Sequence, residues 1–402
     1  MAENKDKKVL NVPNIRFPEF KEEWVECRLG EIGKLYKGFG ISKDQLSDNG
    51  EPCILYGELY TKYTTEAINN IISKTNISDT KLVKSNGNDV IIPCSGETAE
   101  DIATARCVLK DNVLLGGDLN IIRLHKDNGL FMSYQLNGKR KYDITRVSQG
   151  VSVVHLYGEH LKGIKTYCPN LDEQNKIATF LSLLDERIAT QNKIIEELKQ
   201  LKNGIINNTF NFFKTKYIPF KNLYEDAGEG GTPSTSNASY YDNGTIPFIK
   251  IDDLKKKYLT CNKDYITNLG LQKSSAWLIP TNSILFSNGA TIGEISITTY
   301  SVATKQGILG IVPNSDVDTE YLYYLMSSQF FKKAINRIIT EGTMKTAYLK
   351  DINKILCPFP NKEVQQNIAK LPSILNRKIE IEQSLLDKFL VQKQYLLRQM
   401  FI

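Results

Sequence analysis

Histidine is scarce and cysteine unpaired in this chain, and the two shortages exclude a good deal. Three histidines (His125, His155, His160) in 402 residues leave no His/Cys set at metal-ligand spacing, so neither a metal nor a cofactor is expected. Seven cysteines, an odd set without a CxxC pair, read as free thiols of a reducing cytoplasm rather than a disulfide framework. There is no GxxxxGKS/T phosphate loop, no NPPF/Y tetrapeptide and no FxGxG loop, so a nucleotide motor and an amino-methyltransferase lack their signatures. No Pro-Asp dipeptide occurs, and Glu19-Phe20-Lys21 has no upstream acidic partner, so nuclease chemistry has no visible residues either. The N-terminus carries no apolar h-region and no segment approaches the ~18 apolar residues of a membrane span, which makes a cytoplasmic protein the expectation.

What the chain does have is length, a mildly basic balance and a long apolar seam. At 402 residues it has room for two or three domains, each with its own core, and 41% hydrophobic against 24% charged residues argues against disorder on a domain scale. A formal charge of +6 permits nucleic-acid contact without demanding it, because a solvated lysine-rich surface gives the same balance. From Leu171 to about Phe213, apolar residues recur at spacings of four and three: Ile177, Leu181, Leu184, Ile188, Ile195, Leu198 and Ile205. That period predicts a helix of ~40 residues and ~60 Å, whose single stripe must be buried against a partner. A shift of 191 residues, from Ile177 to Ile368, supplies the partner: Ile368, Leu375, Ile379, Leu386, Phe389 and Leu396 fill the same slots, with Pro372 among them. The polar breaks coincide as well, Gln191 with Glu382 and Lys202 with Lys393; they either set register or face another subunit, or are tolerated at an exposed edge.

The regions before the two helices also repeat in order. LKGI at 161–164 and LKDI at 349–352 each precede a Cys-Pro (Cys168-Pro169, Cys357-Pro358), then glutamine (Gln174; Gln365, Gln366), then Ile-Ala. Pro52…Leu59 pairs with Pro247…Leu254, and Gly150 with Gly342. The strand-like runs CILYGEL, DVIIPCS and LNIIRL in one half answer IPFIKID, SILFSNG and GILGIVP in the other, giving two α+β domains alike in frame and unlike in content. Gly38-Phe39-Gly40 and Gly228 to Gly231 lack the strand-then-helix setting of a phosphate loop and read as turns. Near other turns stand basic and polar residues with aromatics. In the first domain these are Lys34, Lys37, Lys62, Tyr63, Ser95, Lys139, Arg140, Lys141, Arg146 and Gln149. In the second they are Thr232, Ser234, Thr235, Lys255, Lys256, Lys257, Tyr258, Asn288, Lys305, Gln306, Arg337, Thr343 and Lys345. On DNA such lysines and arginines neutralise phosphates, while Arg, Gln, Asn and Ser/Thr read base edges; a solvated surface explains any single lysine as well.

Three stretches carry a family resemblance. IRFPEFKEEWVECRLGEI at 15–32 resembles the opening of the first target-recognition domain in specificity subunits of type I restriction-modification systems. LYGEHLKGIKTYCPNLDEQNKIATFLSLLDERI at 156–188 is similar to that family's central conserved region, above all in the Pro-Asn-Leu-Asp-Glu-Gln…Ile-Ala run. LKDINKILCPFPNKEVQQNIA is a weaker second edition, with a two-residue insertion before Ile368 and with Pro372, which kinks the second helix or starts it near Ser373.

The resemblance implies an α+β fold in which two tandem pseudo-symmetric α/β target-recognition domains are separated by two long antiparallel helices, a coiled-coil spacer. The expected layout is an N-terminal arm at 1–23, a first domain at 24–158, and a central conserved region with its helix at 159–213. A second domain at 217–346 and a C-terminal conserved region at 347–402 follow. It further implies that each domain reads half of an interrupted site in double-stranded DNA. The helices would then dock two modification (methyltransferase) subunits that bind S-adenosylmethionine, with ATP-dependent restriction subunits joining the assembly. The chain itself would be non-catalytic. Two other readings stay open from the residues alone: a coiled-coil tether bridging protein partners, and a DNA-acting enzyme with an unfamiliar site.

Overall fold

The structure, a computed structural model, describes residues 10–150, 153–212, 215–289, 291–339 and 345–402. The predicted equivalence of Gly150 with Gly342, and Thr343 among the candidate residues, fall outside them. The chain forms two units, residues 1–192 with 384–402 and residues 193–383.

Each unit is built on a five-stranded sheet of the same strand order. In the first unit the order is Gly33–Lys37, Leu119–Leu124, Asp89–Pro93, Arg106–Val108, Ala67–Ile68. In the second it is Tyr224–Glu229, Ile308–Pro313, Ile284–Ser287, Ile295–Thr298, Tyr258–Leu259. The last pair is parallel and the other pairs antiparallel in both. The central strands, VIIP and ILFS, are buried along their length, which is why they read as continuous apolar runs rather than alternating ones. Each is entered through an asparagine in left-handed backbone, Asn88 (φ 86°) and Asn282 (φ 62°), a conformation that asparagine adopts at low cost. A second sheet accompanies each, of five short strands in the first unit (Leu46–Ser47, Ser73–Thr75, Glu51–Ile54, Leu114–Leu115, Val83–Lys84) and of three in the second (Asp264–Ile266, Ile246–Ile249, Ala303–Thr304).

The long helices run Leu171–Phe212, 42 residues, and Lys362–Gln399, 38 residues. Asn170 and Asn361 cap them, each side-chain oxygen accepting a backbone N–H three residues on, at 2.9 Å. Leu171 and Lys362 stand equally far before Ile177 and Ile368, so the extra two residues of the second copy are absorbed ahead of Pro360, outside the helix. Pro372 lies inside the second helix, which starts eleven residues ahead of the Ser373 expected as its first residue. Gln174 and Gln365 fasten each helix start to its domain. The Gln174 amide donates to Asp127 Oδ1 (2.7 Å) and Pro169 O (2.9 Å) and accepts from Asn128 N (2.9 Å). Gln365 donates to Asp316 O (3.1 Å) and Pro360 O (2.9 Å) and accepts from Asp318 N (2.8 Å). An amide can do this because it is donor and acceptor at once. Residues 10–23, expected as a flexible arm, lie on the helix start: Arg16 makes a two-pronged 2.7 Å pair with the buried Glu173 carboxylate.

Every seam position from Ile177 to Ile205 and from Ile368 to Leu396 is buried or half-buried. In the first unit Ile177 and Leu181 share a cluster with Leu396, Phe401, Phe131 and Trp24. In the second, Ile206 and Phe210 share one with Ala369, Tyr321 and Phe331. Within each unit the two helical segments run antiparallel, as Asp185–Lys393 with Arg187–Phe389 records in the first, and Lys202–Asn376 with the clustering of Ile206 and Phe210 with Ala369 in the second.

Two of the polar breaks in the seam are lysines, of which Lys393 meets its domain and Lys202 meets the other helix. In the first unit Lys393 Nζ lies 2.6 Å from both Glu66 and Asp185, and Tyr134 donates to Asp185 at 2.7 Å. In the second, Lys202 donates to Asn376 (3.2 Å), while Lys257 pairs with Glu320 (2.9 Å) and donates to Tyr324 and Ser373. Burial first and Glu66 second push Asp185 up to about 6, against the pull of Lys393. Burial works to raise Glu66 too, but Lys393 and Arg106 outweigh it and hold it below the usual carboxylate value. A raised carboxylate favours the folded state when protonated, so the first unit gains stability as pH falls from about 7 through about 6. As pH falls below the usual glutamate value and through the lowered one of Glu66, the contribution of Glu66 is lost. Asp185→Asn, which installs what Asn376 provides in the second unit, is expected to abolish that rise. Urea midpoints of both proteins across this range check it.

Candidate nucleic-acid interface

In each unit three glycine-bearing turns meet at one end of the main sheet. In the second unit, Gly230 N bonds to Ile308 O (2.9 Å) and Gly231 N to Thr304 O (3.0 Å). A Cβ on Gly230 would fall 2.2 Å from Thr304 Oγ1 and 2.3 Å from Thr304 O, so only glycine lets this turn close onto its neighbour. The turn after the central strand joins in through Asn288 N to Gly307 O (3.0 Å) and Ala347 N to Asn288 O (2.9 Å). Between these turns opens a cleft of about 660 Å³ walled by Thr232, Lys250, Lys305, Gln306, Thr346 and Tyr348. Lys305 and Gln306 are exposed, and no hydrogen bond holds their side chains among the described residues.

The first unit builds its tip the same way. A Cβ on Gly38 would fall 1.9 Å from Gly116 O, Gly38 N bonds to Leu119 O (2.9 Å), and Leu156 N bonds to Cys94 O (2.8 Å). Lys37 stands exposed here, 3.7 Å from Asp118, which also accepts from Ser95 Oγ at 3.3 Å. Ser95 pairs across strands with His155, and His155 with Gln149; Ser95 is buried, so His155 and Gln149 form the exposed rim.

Of the residues picked from sequence, the structure thus gathers Thr232, Lys305 and Gln306 over Asn288 at one tip, and Lys37, Ser95 and Gln149 at the other. Lys34 is exposed on the same strand as Lys37. Lys139, Lys141 and Arg146 lie around the helix Lys141–Val147, with Arg146 over the Tyr142 ring. Ser234, Thr235, Lys255, Lys256 and Lys345 are exposed, and Arg337 lines a separate cleft with Lys333 and Asp351. Five others have work inside the fold, and Asn288 is buried. Lys62 pairs with the buried Glu58 (2.7 Å), and the Tyr63 hydroxyl accepts from Ile72 N. Arg140 lies over the Tyr167 ring and bonds to Ile402 O. Lys257 is 4% exposed and held by Glu320, with the Tyr258 hydroxyl on the same carboxylate.

Sequence reasoning passed over Tyr157 and Tyr348. Both directly follow the residue that hydrogen-bonds the turn after the central strand (Leu156, Ala347). Matching LKGI to LKDI sets Tyr157 opposite Lys345 and hides this; the short helix after each tyrosine begins three residues earlier, relative to that match, in the first copy. Aligning on the tyrosines instead would have found them.

Among the described residues no helix is long and apolar enough to cross a membrane. A family model described as the type I restriction modification DNA specificity domain matches the chain twice, at 21–200 and 209–389. The MjaVIII type I restriction enzyme specificity subunit of Methanocaldococcus jannaschii is 23% identical over 406 residues, covering 94% of this chain and 91% of that protein. The MjaIX specificity subunit of the same organism is 31% identical over 163 residues, 40% of this chain and 37% of that protein. The crystal structure of the type I restriction-modification S subunit from M. genitalium shares the fold, with a TM-score of 0.62 at 16% identity over 97% of this chain and 99% of that one. With two copies of the family domain spanning most of its length, the chain belongs to the type I restriction-modification DNA specificity family, as a two-domain specificity subunit.

Proposed function

We propose that the chain is the non-catalytic DNA reader of its system, each tip reading one half of an interrupted site in double-stranded DNA. The observation that carries this is a shared frame with different exposed contents: Thr232, Lys305 and Gln306 at one tip, Lys37 and Gln149 at the other. A glutamine amide can bond adenine N6 and N7 together, a lysine neutralises phosphate, and turns closed by glycine let backbone approach a groove. Different side chains on one frame give two different half-sites.

The long helices dock the catalytic partners in this reading. Phe180 and Leu183 on the first helix are exposed, and so are Leu371 and Ile374 at the same slots of the second, 191 residues on. Two equal apolar patches suit two copies of one partner, the modification (methyltransferase) subunit, to which restriction subunits are added. The length of the helices sets the unread gap.

Mapping methyladenine across a genome that co-expresses this chain with its modification subunit tests the reading. A two-part motif with a fixed gap is expected. Replacing residues 24–158 by those of a relative should change one half of it and leave the other half and the gap intact. A swap that alters both halves, or neither, would overturn the assignment of one half-site to each domain. Absence of any motif would favour a protein tether.

A further inference from the structure

Tyr157 and Tyr348 share their exposure with Tyr36, Tyr142, Tyr217, Tyr265 and Tyr395, and are set apart by their matched place, each directly after the residue that bonds the turn following the central strand. Tyr63, Tyr134, Tyr321 and Tyr324 are buried with bonded hydroxyls, and Tyr241 and Tyr258 bond theirs to Pro233 O and Glu320. Tyr157 and Tyr348 are 53% and 45% exposed, and neither hydroxyl has a hydrogen-bond partner among the described residues.

Their backbones are nonetheless fixed. Each is extended (φ −92°, ψ 140°; φ −72°, ψ 138°), each heads a one-turn helix, and each carbonyl accepts from residues three and four places on. The preceding residue is tied to the turn after the central strand. A large ring is therefore presented to solvent from a rigid node, at the rim of each tip. His155 stacks on Tyr157 with ring centres 6.3 Å apart, and Lys350 Nζ lies 5.5 Å from the Tyr348 ring. The tips differ in nearly every polar residue, yet both keep a tyrosine at this node. A contact common to two readers of different sequence is one that does not depend on sequence.

We infer that Tyr157 and Tyr348 are a matched pair of aromatic DNA contacts, one per half-site, each packing its ring face on a base or sugar next to the bases that are read. Every nucleotide carries the same sugar, and where a step is unstacked every base offers a π-face, so such a contact adds affinity without choosing a sequence. It carries no charge, so it adds nothing to the salt dependence that phosphate contacts create. The inference rests on the DNA-reading function proposed above.

The test is fluorescence anisotropy on the assembled complex of this chain with its modification subunits, using a duplex that carries the mapped motif and one with the motif scrambled. Tyr157→Ala and Tyr348→Ala should each weaken binding about tenfold on both duplexes. Their slope of log affinity against log salt and their unfolding temperature should match those of the wild type. Tyr→Phe and Tyr→Trp at either position should bind like the wild type. Lys305→Ala serves as the contrast and should lower the salt slope by about 1. Alanine variants that bind like the wild type would overturn the inference while leaving the DNA-reading function standing. So would a loss shared by Tyr→Phe, which points to the hydroxyl, or one that tracks a fallen unfolding temperature, which makes the ring structural. A wild-type complex that does not prefer the motif would overturn both.

Discussion

Lys393→Ala should destabilise the first unit by about 3–5 kcal/mol, enough to remove roughly a fifth or more of the stability of an ordinary domain. The ammonium lies between two carboxylates, Glu66 and Asp185, whose side chains are each 6% exposed. Truncation leaves both in low dielectric. Arg106 is the remaining cation nearby, and its guanidinium is engaged with the carbonyls of Leu59 (3.2 Å) and Tyr63 (2.9 Å). The loss belongs to the uncompensated charge rather than to the pair itself. Adding Asp185→Asn to Lys393→Ala should therefore recover most of it, because Glu66 and Arg106 are then left as a balanced buried couple. Equilibrium urea unfolding of the three proteins decides the matter. A Lys393→Ala protein within about 1 kcal/mol of the wild type would mean that water reaches these carboxylates and that the cluster is a surface one.

Phe210→Ala should cost the second unit a similar amount, about 3–5 kcal/mol, for a different reason. The ring is buried where the first long helix meets the second domain, its centre 5.5 Å from that of Tyr321 in the largest core cluster. Deleting it opens a cavity among side chains already fixed by the sheet, and Tyr321 cannot move to fill it while its hydroxyl donates to Pro358 O at 2.6 Å. Phe401, 191 residues on, sits against Phe131 (5.3 Å) in the first unit. Phe401→Ala should be equally costly there, so calorimetry of the two variants should show opposite units melting early. Equal lowering of both transitions by either variant would contradict the assignment of these rings to separate cores.

Much of this was legible in the sequence because helix period and duplication reinforce each other. The stripe from Ile177 to Ile205 fixes a helix, and the matching stripe from Ile368 to Leu396 says where its partner is. Lys202 and Lys393, coinciding as breaks, already marked the places where something else must enter the seam. What enters was not legible. Glu66 and Tyr134 reach Lys393 from positions 327 and 259 residues away in the chain, and no local pattern announces such a meeting. Lys257 stands in a run of three lysines that looks like a solvated surface, yet the strand start it occupies turns it inward to Glu320. Pro372 suggested a late helix start; the capping by Asn361 and the clamp of Gln365 carry the helix through it. Among the candidate DNA contacts, side-chain type could not separate Gln306 at a cleft from Arg140 in a structural bond, because the difference lies in which turns the sheet brings together.

The joints between domain and helices hold a last consequence. Glu66 and Lys257 occupy one position, just ahead of the parallel edge strand, where their carbonyls accept from Cys107 N and Ile297 N, both at 2.7 Å. One is an acid and the other a base. Yet the first domain brings Arg106 beside its acid and the second brings Glu320 beside its base, so each presents a balanced couple to the helices. A domain moved from one mount to the other would carry its own counter-charge and add no net buried charge at the new seat. Each domain is thus charge-matched to its mount before it arrives, so a swap between the two mounts is neutral in buried charge.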